Sequence, residues 1–103
     1  MGDRWMSLRG ILREEEGPTR LGVTLGRKAG KAVVRNRLKR LIREAFRLSR
    51  GALPEGMDIV VLPSLRRGEV PPPIGDLWRS LVSLVLQAHV RLSEGAGRGH
   101  GNR

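Results

Sequence analysis

Cysteine is missing from this chain, so disulfides and thiolate metal sites are excluded. Tyrosine is missing too, and the aromatic set is Trp5, Phe46 and Trp78. Two histidines, His89 and His100, are too few for a metal cluster, and His89 sits in an apolar helical pattern as an ordinary surface or helix-end residue. No apolar run approaches the roughly 20 residues that cross a bilayer. The start, MGDRWMSLRG, lacks the apolar core of a secretory signal. These absences point to a cytoplasmic protein with no membrane partner. Catalytic groupings are absent as well. No nucleophile stands beside a base, and carboxylates cluster only in Glu14-Glu15-Glu16, so neither protein-borne chemistry nor a small-molecule substrate is expected.

Acid is scarce and base abundant. Ten Asp and Glu face twenty Lys and Arg, giving a formal charge of +10 and a pI near 11.7. That balance selects a polyanionic partner, nucleic acid before membrane. At 103 residues the chain is one domain, able to bury a single core. WMSLRGIL alternates as a half-buried strand, with Met6, Leu8 and Leu12 on one side and Ser7 and Arg9 on the other. Gly17-Pro18 turns the chain, and RLGVTLG alternates again through Leu21, Val23 and Leu25. Pairing of this second strand back on the first as a hairpin is the simple expectation. A basic helix follows, then MDIVVLP as a buried central strand. After the proline-rich loop SLRRGEVPPP, a helix is predicted from Ile74 to about Ser93. Its core positions are Ile74, Leu77, Leu81, Leu84, Val85 and Ala88, with Trp78 and Val82 widening the apolar face. The expected organisation is an α+β domain over residues 1–94 and a flexible Gly-rich tail over 95–103. Strand, strand, helix, strand, helix makes a two-layer α/β sandwich with both helices on one face of a small sheet.

The densest feature is RKAGKAVVRNRLKRLIREAFRLSR, residues 27–50. It holds ten Lys and Arg, seven of them Arg, with Glu44 as its single acid. On a helical wheel Val34, Leu38, Leu41, Ile42, Ala45 and Leu48 fall within roughly 120°, with Phe46 at the edge. Burying such a stripe, at about 1.5–3 kcal/mol per aliphatic side chain, outweighs i,i+4 like-charge costs of a few tenths each. The rest of the surface carries Arg35, Asn36, Arg37, Lys39, Arg40, Arg43, Arg47 and Arg50. Solvated faces mix signs, and this one does not. Guanidinium forks bind phosphate bidentately and stack on bases, which suits structured RNA. Asn36 suits either an RNA contact or a helix-start cap. Gly30 within RKAGK lets backbone approach a phosphate, or is an ordinary loop glycine.

These residues resemble the signature of the protein subunit of bacterial ribonuclease P. The pattern is a basic pair, Gly, Ala-Val, then Arg-Asn-x-x-Lys-Arg-x-x-Arg-Glu. Here it is Arg27-Lys28, Gly30, Ala32-Val33, Arg35-Asn36, Lys39-Arg40 and Arg43-Glu44. The likeness extends over about residues 5–93. The resemblance implies a mostly antiparallel sheet and a left-handed β-α-β crossover where the general rule favours the right hand, a fold akin to the second domain of the fifth small-subunit ribosomal protein. It implies an endoribonuclease component whose RNA partner, ribonuclease P RNA, carries Mg²⁺-dependent removal of the 5′ leader from precursor tRNA. The Mg²⁺ would be held mainly by that RNA, and no residue here would be catalytic. By position, Arg27, Lys28, Lys31, Arg35, Asn36, Arg37, Lys39, Arg40, Arg43 and Arg47 would contact RNA, with Glu44 orienting its Arg neighbours. Trp5 and Arg9 are the candidates for touching the leader. One departure stands out: only Met1 to Arg4 precede Trp5, where family members carry a further basic and aromatic helix that walls the leader cleft. A truncated gene model or a reduced family member is expected from this. The alternative function is a ribosomal-type structural RNA-binding protein without a role in cleavage.

Overall fold

The computed structural model describes residues 1–25, 31–64 and 72–101, with side chains to Gly95. Its elements are β1 (Met6–Leu12), β2 (Arg20–Val23), α1 (Ala32–Ser49) with a 3-10 turn over Arg50–Ala52, β3 (Met57–Pro63) and α2 (Ile74–Gly101). Strand order is β1-β3-β2. β3 runs antiparallel to β1, from Met6 opposite Pro63 to Leu12 opposite Met57. It runs parallel to β2, from Arg20 opposite Asp58 to Val23 opposite Val61. Antiparallel pairings therefore outnumber parallel ones, and β2-α1-β3 is a β-α-β unit between adjacent parallel strands. The expected hairpin does not form. β3 inserts between β1 and β2, because its MDIVVLP run is apolar enough to be buried with a strand on either edge.

One sheet face carries Met6, Leu8, Met57, Ile59 and Val61, all fully buried against α1 and α2. Gly10 continues the β1 side of that face at close quarters: a Cβ there would meet Ile59 Cγ2 at 3.2 Å and Met57 Cε at 3.4 Å, and both side chains would have to give. From α2 come Leu77, Leu81, Leu84, Val85 and Ala88, the expected set, with Ile74 partly buried. Trp78, expected to widen this face, is instead exposed. α2 starts directly after Pro73, whose fixed φ suits a helix entry. It is written to Gly101, past the expected end near Ser93 and across the segment read as a tail.

The buried side of α1 is turned from the expected one. Leu38, Ile42, Ala45, Phe46 and Ser49 are buried, Leu41 only in part, and Leu48 is 56% exposed. The core arc is thus rotated by roughly 50° toward Phe46 and Ser49. Ser49 tolerates burial because its hydroxyl donates to Ala45 O at 2.7 Å, with Phe46 O at 3.1 Å. Buried Thr19 is similarly satisfied, donating to Pro54 O (2.7 Å) and accepting from Met57 N (3.1 Å). Gly56, at φ +82°, makes the left-handed turn into β3 that its neighbours could not.

The opposite sheet face is open among the described residues. Arg9 and Val60 face each other on it, as do Ile11 and Asp58, then Asp58 and Arg20. Ahead of β1, Asp3 Oδ1 accepts from Trp5 N (2.8 Å) and Met6 N (3.1 Å), and Leu8 N donates to Met1 O, so residues 1–5 fold back on the strand.

Candidate nucleic-acid interface

α1 starts at Ala32 because the chain before it is basic and glycine-containing, while Val34 to Leu48 supply an apolar repeat. Lys31 occupies the N-cap position without a side-chain hydrogen bond, and no acid stands in the first turn. A helix entry that neither caps its N–H groups nor offsets its dipole with acid remains receptive to an anion. Asn36 lies inside the helix and exposed, well past the cap, so its helix-start role is removed.

With the core arc set by Leu38, Ile42 and Ala45, the spacing of Asn36, Arg40, Arg43, Arg47 and Arg50 lays them along the far side as one stripe. Arg35 and Lys39 flank it half-buried, and Arg37 is exposed on the other flank. Among the described residues Lys31, Arg35, Arg37, Lys39, Arg40 and Arg43 make no ion pair. Like charges adjoin at Arg35–Lys39, Lys39–Arg43 and Arg43–Arg47, each pair costing a few tenths of a kcal/mol. Arg35 Nε is buried without a hydrogen-bond partner among the described residues. Arg47 differs, since Glu44 accepts from its Nε (3.1 Å) and Nη2 (2.5 Å). That bond holds the Glu44 carboxyl below its ordinary range and raises the Arg47 guanidinium. Arg27, Lys28 and Gly30 lie outside the described residues.

The two leader candidates part company. Arg9 is exposed on the open sheet face, across from Val60. Trp5 is half-buried against the core, with the Arg4 guanidinium 4.7 Å from its ring centroid. One ring face is therefore already taken.

A cluster not anticipated from sequence closes one end of the open face. Asp58 accepts from Arg13 Nη1 (2.8 Å), Arg20 Nε (2.7 Å) and Arg20 Nη2 (2.9 Å). The bond from Arg20, then that from Arg13, lowers the Asp58 carboxyl to about 2. The Arg13 side chain is only 9% exposed and also donates to Met57 O and Pro18 O, both at 2.8 Å. The available signal was an aspartate inside an otherwise apolar strand, which demands a partner. Among the described residues no three of His, Asp and Glu converge to hold a cation. No helix among them is long and apolar enough to cross a membrane.

Residues 3–88 match the Ribonuclease P family. The chain is 41% identical over 86 residues to the ribonuclease P protein component of Symbiobacterium thermophilum, covering 82% of this chain and 73% of that protein. Against the component from Thermotoga petrophila it is 53% identical over 60 residues, 58% of this chain and 50% of the relative. The chain thus spans about half the length of that relative. Among solved structures, the RNase P protein from Thermotoga maritima superposes with a TM-score of 0.70 at 31% identity, covering 82% of this chain and 78% of that one. With a family match across most of its length and a relative of 41% identity covered by nearly three quarters, the chain belongs to the Ribonuclease P protein family.

Proposed function

We propose that this chain acts as the protein subunit of ribonuclease P, binding the catalytic RNA through α1 and assisting removal of the 5′ leader from precursor tRNA in the cytoplasm. The observation that carries the reading is the row of cations from Arg35 to Arg43, without an ion pair among the described residues and inside the stretch that matches the family. A fold that accepts adjacent like charges along three helical turns gives up stability that a polyanion returns on binding. Lys31, Arg35, Asn36, Arg37, Lys39, Arg40, Arg43 and Arg47 form the RNA face, with Arg27 and Lys28 ahead of it. The 5′ leader lies across the open sheet face, where Arg9 is free to meet a phosphate. In this reading the RNA holds the Mg²⁺, and among the described residues no three of His, Asp and Glu converge to hold a cation.

Reconstitution tests this. Purified protein is added to a bacterial ribonuclease P RNA at low Mg²⁺, and cleavage of precursor tRNA is followed. Stimulated cleavage, with RNA binding that steepens as salt falls, is the expected result. Tight RNA binding without any stimulation would identify a structural RNA-binding protein instead.

A further inference from the structure

The charged stripe of α1 does not stop at the helix. Its last members, Arg43, Arg47 and Arg50, line a groove whose other wall is Thr19, Arg20 and Leu21 at the start of β2. This groove has a volume of about 390 Å³. A second hollow of about 230 Å³ shares Thr19, Phe46 and Arg50 with it and continues past the 3-10 turn toward Leu53 and Glu55. The two adjoin along the shared Pro18, Thr19, Phe46 and Arg50, and together they line a channel from the helix face past the 3-10 turn.

Several independent features give this channel the chemistry of an anion site. Arg43 is unpaired, and Arg50 is held by the Phe46 ring, its guanidinium 5.5 Å from the centroid. That contact fixes the direction of the Arg50 side chain without spending its hydrogen-bond donors. Glu44 engages Arg47, and among the described residues Arg43 and Arg50 make no ion pair. Among the described residues β2 pairs only with β3, which makes it an edge strand of the sheet. A single cation in the last turn would satisfy the helix dipole. Arg47 already does that, which leaves Arg50 without a structural duty beyond covering Phe46.

We infer that this channel is a phosphodiester-binding site that receives an RNA strand as it leaves the face of α1, with Arg43 and Arg50 as its phosphate ligands. It rests on the RNA-binding reading of α1 and extends that footprint around the helix end to the sheet edge. The axial rise from Arg43 to Arg50, about 10 Å, spans more than one backbone phosphate.

The chain has no cysteine, so a single introduced thiol reports one position. Glu55→Cys at the channel's far end and Ser83→Cys on the exposed side of α2 are each labelled with a photo-activated aryl azide and bound to ribonuclease P RNA. Affinity is measured in parallel for Arg50→Gln and for Arg40→Ala. The expected results are a crosslink from position 55 and none from 83. Arg50→Gln should weaken RNA binding three- to ten-fold and flatten the salt dependence by about one unit, at an unchanged melting temperature. If Arg40→Ala weakens binding while Arg50→Gln does not and position 55 fails to crosslink, the channel is not an RNA site and the α1 reading stands. An open edge serving a peptide strand would give that same pattern. If the unaltered protein fails to bind the RNA, both readings fall together.

Discussion

On the sheet, Arg13 and Arg20 close on Asp58 from two sides, whereas on α1 Arg37, Arg40 and Arg43 have no acid partner among the described residues. Arg20 and these α1 arginines are exposed, whereas the Arg13 side chain is nearly buried. The sheet arginines are consumed internally, tying the end of β1, the Pro18 turn and both neighbouring strands into one hydrogen-bonded knot. Those of α1 are kept apart from acid and repel one another. The difference separates arginine used to build the fold from arginine reserved for a partner. It also explains how α1 tolerates its own repulsion: the other side of the helix is bolted into the core by Leu38, Ile42, Ala45 and Phe46.

Removing Arg13 gives the largest effect. Arg13→Met should destabilise the fold by about 2 kcal/mol, since the part-buried Met57 carbonyl and the exposed Pro18 carbonyl lose a charged donor along with the Asp58 pair. Denaturant unfolding reads it, and RNA affinity per folded molecule should not change. Unchanged stability would show that the knot does not hold the fold.

Arg40→Ala combined with Arg43→Ala probes the other group. RNA binding should weaken by on the order of ten-fold and the salt slope should flatten by about two. The melting temperature should hold or rise slightly, because the Lys39–Arg43 and Arg43–Arg47 repulsions disappear. Loss of folded signal in this variant would mean that these side chains brace the core.

Acid separates the two groups without mutation. Asp58 titrates near 2 in the folded chain, below the ordinary 3.8. Its contribution is therefore complete above about pH 4 and is lost as pH falls through 2. Urea midpoints between pH 5 and 2 should drop for the native chain, and Asp58→Asn should show a shallower drop. Identical slopes would detach Asp58 from the fold's acid sensitivity.

Much of this was readable before the structure. The α2 repeat gives Leu77, Leu81, Leu84, Val85 and Ala88 correctly because each is apolar and their spacing admits a single face, while Trp78 lies outside it and Ser80 is taken in. The α1 stripe was placed on a helix for the same reason, but its core arc was misjudged by the two residues that break the apolar rule. Leu48 is left outside and Ser49 is taken in, because a serine hydroxyl can bond backward to its own helix. Strand order was not readable, since alternation tells which side of a strand is buried and not which strand lies next to it. The channel beside Arg50 was equally hidden, because its opposite wall comes from Thr19–Leu21, brought there only by the parallel pairing of β2 with β3.

Arg47 is the member of the α1 row that is held in the manner of the sheet, by Glu44 one turn earlier. Glu44→Gln should release it. Both groups are exposed and the pair is a surface one, so stability should barely move. RNA affinity should rise by about two-fold and the salt slope should steepen by less than one unit, because a phosphate then meets Arg47 without competing with a carboxylate. A fall in affinity would reverse the interpretation. Glu44 would then be holding Arg47 in the orientation that RNA requires, and even the cationic side of α1 would contain one arginine that is built rather than reserved.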